Sequence, residues 1–368
     1  MEFVDMRVVL RLLKIVFLLL LCQVSLLSLA GVRAAEPEPL RLVDCEIHLL
    51  DFNQSGDGFA SLLENMDRQQ VTAAWVMGVP LQKLWQEHAP QRPLAYESDD
   101  GPVYYYGTTD VIVARALLAL TPEQRRRFHP FICGFNPTDR NAVNHIRLML
   151  KLYPGLWSGI GEILTRHDAL THLTLGETAR ADHPALDAVY ELAARRRLPV
   201  LLHSNITSPR ESAFIYLGEL ERALAAHPKT SFVWAHAGTA ANIERRQHLK
   251  GLCPLVGDLL ERYPNLKILL SWVLVDHYLL DESGRPAAAW VGLVKRFPDR
   301  FLVGSDVVGR FAKLSGAYAG IRAFLSGLPS KVAVQVAHDN AEACFRPPAA
   351  VPDRAQVKKR AKPARPAE

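Results

Sequence analysis

The sequence is poor in cysteine and has no paired cysteines. It contains five cysteines in 368 residues, and none of them forms a C-x-x-C pair. Outside the N-terminal apolar run, Cys45, Cys133, Cys253 and Cys344 are separated by long, irregular intervals, so a zinc–thiolate site is not indicated. Export would permit disulfides. Because Cys45 and Cys133 lie inside strand-like apolar runs, we expect buried free thiols there.

The body of the chain also lacks an excess of basic residues. The whole chain has 43 Lys+Arg against 38 Asp+Glu, a formal net charge of +5. Residues 346–368 carry a net +5 and residues 1–34 a net +2, which leaves −2 for the rest. This distribution argues against nucleic acid as a partner. With 49% hydrophobic and 22% charged residues, the composition is that of a globular protein with a large core.

The two ends differ from the middle. Residues 15–30 form an apolar run that follows three basic residues and precedes small residues, the layout of a secretory signal peptide. We therefore predict an exported protein, periplasmic or secreted, with an N-terminal membrane anchor over 1–34 as the alternative and the only expected membrane contact. Residues 346–368 are rich in Pro, Ala, Lys and Arg without apolar periodicity, and are predicted to form a disordered tail.

Short apolar runs alternate with helix-like stretches over residues 35–345. Eight runs are strand-like: 42–50, 71–79, 131–135, 156–163, 199–203, 231–236, 266–272 and 301–306. This alternation predicts an α/β fold, a (β/α)8 TIM barrel, with an insertion at 80–130 after the second strand. A doubly wound open sheet is the alternative, but the glycine-rich phosphate turn expected after its first strand is absent.

Carboxylates and imidazoles recur where the predicted strands end. Glu46 and His48 are spaced i, i+2 and must face the same side of the first strand. Later strands contribute Glu162, His203, His236 and Asp306. Such groups are costly in a buried position without a counter-cation. We therefore predict a centre for a divalent metal, with Zn²⁺ favoured and Mn²⁺ or Fe²⁺ as alternatives. The remaining histidines, His167 among them, are expected at the surface.

The segments that carry these residues resemble a known family. LVDCEIHLLDF, GIGEI, PVLLHSN, VWAHAG, FLVGSD and HDNAEACF, within residues 40–346, resemble the amidohydrolase-related branch of the amidohydrolase superfamily. The resemblance implies a metal-dependent barrel that hydrolyses an amide, ester or lactone bond, and a subset of the family decarboxylates instead. By position it implies the metal ligands Glu46, His48, Glu162, His203 and Asp306, with His236 as the histidine of the sixth strand.

One motif departs from the family, which usually has His-x-His in the first strand where this chain has Glu46-Ile47-His48. The departure leaves one or two metal ions as alternatives.

Two enzymatic hypotheses follow for a small-molecule substrate. In the hydrolase, the metal lowers the pKa of a bound water, Asp306 transfers the proton to the leaving group, and His236 polarises the carbonyl. In the decarboxylase, the same metal binds a substrate carboxylate and CO₂ is released. A non-catalytic metal-binding protein of the cell envelope is a third hypothesis.

The expected substrate-binding residues are Asn205, Trp272 and Arg166, with Asn136 and residues 104–106 as further candidates. The sequence does not predict the substrate or the oligomeric state.

Overall fold

The computed structural model describes residues 40–96 and 101–345, so the predicted leader and tail lie outside the described residues. Its strands, in chain order, are β1 (Leu42–His48), β2 (Val71–Met77), β3 (Leu81–Lys83), β4 (Val103–Tyr105), β5 (Phe128–Ile132), β6 (Gly159–Thr165), β7 (Val200–Ser204), β8 (Phe232–Ala235), β9 (Leu266–Leu270), β10 (Phe301–Val303) and β11 (Val307–Val308).

Nine of these strands form one parallel sheet in the order β10-β9-β8-β7-β6-β5-β2-β1-β11. Its two edges are consecutive segments of one stretch of chain. β10 pairs with β9, Phe301 opposite Ile268, and β11 pairs with β1, Ile47 opposite Val307. Between them, the Asp306 amide donates to the Glu46 carbonyl over 2.9 Å. Of the eighth predicted run, 301–306, only the first half forms a strand, β10, and β11 follows directly after the run. Together β10 and β11 bring the two edges of the sheet together, as the predicted (β/α)8 barrel requires.

Helices connect the strands and cover the sheet. The α-helices are Gly58–Arg68, Thr108–Leu118, Pro122–Arg125, Ala142–Leu152, Pro184–Arg196, Leu217–Ala226, Ala241–Glu244, Leu252–Arg262, Trp272–Leu274, Ala288–Arg296, Leu314–Leu325, Ser330–Val334 and Asn340–Cys344. Pro184–Arg196 shows why they form. His183 accepts from the Ala185 amide and caps the N-terminus, while Leu186, Val189 and Tyr190 bury one face. Among the described residues no helix is long and apolar enough to cross a membrane.

The insertion after β2 ends earlier in the chain than predicted. The antiparallel pair β3–β4 and two helices occupy its first part, but β5 already begins at Phe128, three residues before the predicted 131. His129-Pro130 interrupts the apolar run in the sequence, yet β5 pairs with β2 there and the Pro130 carbonyl accepts from Ser158. Leu81 and Val103 of the insertion share one buried cluster with apolar residues at or beyond the carboxyl ends of barrel strands: Phe52, Val79, Leu164 and Leu170.

Side chains inside the barrel fill its amino-terminal half. A separate buried cluster includes Trp75, Phe131 and the thiols of Cys45 and Cys133, which are free as expected. The ring of Phe345 stacks on His129 with 3.9 Å between ring centroids. With this end filled, the open end of the barrel is the one that carries the carboxyl termini of the strands.

Candidate metal centre

Glu46, His48, Glu162 and His203 lie on three neighbouring or facing strands of the barrel, and all four are buried. His236 directly follows β8 and Asp306 directly precedes β11, with φ of +52° and +53°. A positive φ is costly for a residue with a Cβ and is concentrated at functional sites.

The structure brings all six predicted residues into one cluster. His48 Nε2 lies 3.3 Å from Glu162 Oε2 and 3.4 Å from Asp306 Oδ1, and His203 Nδ1 lies 3.2 Å from Glu162 Oε1. His236 Nε2 lies 3.7 Å from Glu162 Oε1 and 3.6 Å from Asp306 Oδ2. Three overlapping triads have ligand atoms within 4.8 Å of one another: Glu162, His203 and His236; Glu46, His236 and Asp306; His48, Glu162 and Asp306.

Each of the three histidines is oriented from behind. His48 Nδ1 is hydrogen-bonded to the Gly78 carbonyl over 2.9 Å, and His203 Nε2 to Asn205 Oδ1 over 2.9 Å. His236 Nδ1 is hydrogen-bonded to the hydroxyl of Ser271 over 2.8 Å. The second nitrogen of every ring therefore faces the carboxylates, which is how histidine ligands are usually held.

The charges of the cluster are poorly balanced by the protein itself. Burial, together with Asp306 and Glu162, raises the pKa of Glu46 well above its ordinary value. Burial opposes ionisation of Glu162, but hydrogen bonds from the three histidines outweigh it and hold its pKa well below normal. Burial would lower the pKa of His48, yet its hydrogen bonds to Asp306 and Glu162 raise it to about 10. Without a cation, the site retains protons to offset its carboxylates.

Three buried atoms of the cluster indicate that it is suited to bind a cation. Among the described residues, neither carboxylate oxygen of Glu46 nor the Nε2 of His236 has a partner at hydrogen-bond distance. Glu46 Oε2 is 3.6 Å from His236 Nδ1, and the Ser271 hydroxyl, which lowers the pKa of Glu46, is already hydrogen-bonded to that nitrogen. Buried acceptors of this kind are rare because each loses its solvation. Imidazole nitrogens and carboxylate oxygens are the donor set that Zn²⁺, Mn²⁺ and Fe²⁺ accept. The residues therefore fit a divalent cation.

A cavity of about 420 Å³ opens onto this cluster. His48, Glu162, His203 and Asp306 line it, whereas Glu46 and His236 lie below and do not. The rest of the lining is Phe52, Val79, Pro80, Tyr96, Leu164, His167, Leu170, Trp272, Val275, Asp276, Gly304, Ser305, Val307, Val308, Arg310, Lys313, Gly316, Ala317 and Ile321.

The predicted substrate-binding residues separate into two groups. Trp272 lines the cavity. Asn205 does not, because its side chain is engaged behind His203. Arg166 is turned away: its Nε donates to Glu219 over 2.8 Å and its guanidinium lies 4.1 Å from the ring centroid of Tyr216. Asn136 and residues 104–106 are likewise outside the lining.

The positions of two histidines bear on their predicted roles. His236, expected to polarise a substrate carbonyl, is 1% exposed and contacts the carboxylates instead of the cavity. His167, expected at the surface, is 6% exposed, lines the cavity and stacks on His203 with 4.4 Å between ring centroids. The expectation for His167 was wrong, although its place just beyond the end of β6 was a usable signal.

The comparisons with known proteins agree with this geometry. A sequence model of the family described as "Amidohydrolase" matches residues 43–346, so the resemblance seen in the sequence is confirmed. No curated protein sequence matches the chain.

Solved structures show the fold. An uncharacterised TIM-barrel protein from Bordetella bronchiseptica has a TM-score of 0.54 at 14% identity, covering 83% of this chain and 98% of its own. A probable 2-pyrone-4,6-dicarboxylic acid hydrolase from Acinetobacter baumannii, with citric acid bound, has a TM-score of 0.50 at 12% identity and covers 83% and 99%. A zinc-bound amidohydrolase from Burkholderia multivorans has a TM-score of 0.50 at 13% identity and covers 83% and 98%.

Proposed function

This chain belongs to the amidohydrolase family, and from that premise we propose that it is a metal-dependent hydrolase that cleaves an amide, ester or lactone bond of a small molecule. The observation that supports this most directly is the buried cluster at the base of the cavity, with the unpartnered oxygens of Glu46. A site built only for stability rarely leaves a buried carboxylate without a donor.

The residues that would hold the cation are those whose free atoms converge. His48, His203, Glu162 and Asp306 present ligand atoms at the cavity, and Glu46 with His236 presents them from below. We propose zinc as the first candidate, with manganese or iron as alternatives, and a second ion in the lower triad as a hypothesis. A divalent cation held here would polarise a carbonyl oxygen and make water more acidic.

Asp306 is the residue placed to move the proton. Its side chain is 13% exposed, against 4% for Glu162 and 0% for Glu46, so it is the carboxylate most accessible from the cavity. His48 and His236 each approach one of its oxygens, at 3.4 and 3.6 Å, and fix its orientation. Asp306 therefore accepts the proton of the attacking water and donates it to the leaving nitrogen or oxygen.

The walls of the cavity determine what reaches Asp306. Phe52, Leu164 and Val308 surround the approach with apolar surface, and Trp272 adds an aromatic face. Such walls favour a substrate with an apolar body and exclude bulk water from the reacting bond.

Lactones are the first bond class to test. The Acinetobacter protein is a probable 2-pyrone-4,6-dicarboxylic acid hydrolase, and a pyrone is a cyclic ester. The experiment loads the purified protein with zinc, manganese or iron and measures metal content and turnover on lactones, esters, amides and aromatic carboxylates. His203→Ala is expected to lose metal and activity together, and the control His338→Ala, at a histidine outside the cavity, neither.

Two results would count against the hydrolase. Less than about half an equivalent of bound metal, unchanged by His203→Ala, would remove the metal centre on which the chemistry depends. Release of CO₂ from an aromatic carboxylate without consumption of water would instead establish the decarboxylase.

A further inference from the structure

We propose that Lys313 binds an anionic group of the substrate, a carboxylate, at the mouth of the cavity and so determines substrate specificity. The inference rests on the proposed function, because it concerns the substrate of that site. The hydrolase mechanism itself does not require the charge of Lys313.

Lys313 is placed where a substrate must pass. It ends the 3₁₀ turn Phe311–Lys313 and immediately precedes the helix Leu314–Leu325. It lines the cavity and is solvent-exposed, whereas the metal-ligand candidates at the base are buried. Gly316 and Ala317, on the first turn of that helix, also line the cavity, so no long side chain covers the space beside the lysine.

The ammonium group of Lys313 is held in place without being neutralised. Its Nζ lies 4.9 Å from the ring centroid of Tyr96, a cation–π contact that fixes a position but consumes no carboxylate. Within residues 40–96 and 101–345, Lys313 has no ion pair with a carboxylate.

The neighbouring cation shows the contrast. Arg310 also lines the cavity, but its guanidinium donates to Asp51 Oδ2 over 3.0 Å and lies 3.4 Å from Asp57 Oδ1. Its charge is therefore satisfied within the protein. Lys313 also lines the cavity, but its ammonium group is supported only by the Tyr96 ring, and a cation without a carboxylate partner can bind an anionic ligand.

The remaining lining sets the order of groups along the ligand. The cluster of carboxylates and histidines is at the base of the cavity. Apolar side chains such as Phe52, Leu164 and Val308 follow, and Lys313 is at the mouth. Asp276 is also in the lining, on the turn Val275–Leu279, and would repel a second anionic group on its side. The geometry therefore favours a substrate with its reacting bond at one end and a single carboxylate at the other.

The test compares ligands that differ by one charge and undergo no reaction. Zinc-loaded protein is titrated calorimetrically with glutarate and adipate and with the monomethyl ester of each. One carboxylate can bind the metal, and only the diacids have a second for Lys313. We expect the wild-type protein to bind at least one diacid about tenfold more tightly than its half-ester.

Substitutions assign that preference to one residue. In Lys313→Met the preference should fall below about twofold, while Lys313→Arg keeps it because the charge is retained. Lys331→Met, at an exposed lysine outside the cavity, should leave it unchanged. Thermal melting of each variant verifies that the fold is intact.

Three results would overturn the inference: no diacid binds, the wild type does not distinguish diacid from half-ester, or Lys313→Met keeps the tenfold preference. None of these depends on turnover. A protein that retains metal and the Lys313-dependent preference but hydrolyses no amide, ester or lactone would refute the proposed hydrolase and leave the carboxylate site standing.

Discussion

Replacing Glu46 with glutamine should change stability in opposite directions with and without metal. Glu46 is fully buried, and neither of its carboxylate oxygens has a hydrogen-bond partner among the described residues. Its ligand atom lies within 4.8 Å of those of His236 and Asp306. The Glu46→Gln substitution keeps the shape of the side chain and removes its negative charge, so it isolates the electrostatic role of the carboxylate.

The expected size follows from the distances. Two full charges about 5 Å apart repel by about 3 kcal/mol at an effective dielectric constant of about 20. Because burial, Asp306 and Glu162 already raise the pKa of Glu46, proton uptake relieves part of this repulsion in the metal-free wild type. We therefore expect Glu46→Gln to stabilise the metal-free protein by about 1 kcal/mol, or about 2 °C in melting temperature.

Zinc reverses the order of stability of the wild type and the Glu46→Gln variant. At a free zinc concentration about 1,000 times the wild-type Kd, binding stabilises the wild type by about 4.1 kcal/mol. If loss of the Glu46 carboxylate weakens zinc binding about 100-fold, the same zinc stabilises the variant by only about 1.4 kcal/mol. The variant should then be less stable than the wild type by about 1.7 kcal/mol, although it is the more stable protein in chelator.

The assay is thermal unfolding in chelator and in buffered zinc, with Glu282→Gln, an exposed glutamate, as the control that should shift neither curve. The reasoning is refuted if Glu46→Gln lowers the melting temperature in chelator, since the carboxylate would then have a protein partner. It is also refuted if zinc raises the melting temperature of variant and wild type equally, since Glu46 would then take no part in binding.

Three further predictions concern residues around the cluster. Asn205→Ala removes the acceptor behind His203 and should weaken zinc binding about 10- to 100-fold in a chelator-competition titration, with a melting temperature close to that of the wild type. Arg166→Met should cost about 2–3 kcal/mol in denaturant unfolding, because Glu219 loses its partner, yet leave KM for an active substrate within about twofold. Burial lowers the pKa of His129 from 6.5 to about 4, so the unfolded chain binds the extra proton and stability falls as the pH drops from 6.5 to 4. His129→Phe should remove about 2–3 kcal/mol of that acid-induced loss in unfolding titrations at pH 7 and pH 4.

The strands and the cluster could be predicted because both depend on period and position. Parallel strands buried on both faces give apolar runs, and each of the eight predicted runs contains or overlaps a strand of the barrel. Glu46 and His48 share a face by the i, i+2 rule, and the carboxyl ends of parallel strands meet at one end of a barrel. Local rules of this kind suffice to bring six residues together, as observed.

The lining of the cavity could not be predicted in the same way, because beyond the end of a strand the direction of a side chain depends on the turn. Arg166 and His167 are adjacent and follow β6, yet Arg166, at φ +50°, directs its guanidinium to Glu219 while His167 stacks on His203. Nothing in the composition of the pair distinguishes the two outcomes. They differ because Glu219, on a helix 53 residues away in sequence, accepts the guanidinium. Lys313 could not be predicted for the same reason. Its proposed role depends on the fold, which pairs Arg310 with Asp51 and places only the Tyr96 ring beside Lys313. The lining of the cavity thus depends on contacts between segments distant in sequence, which the periodicity of the strands does not encode.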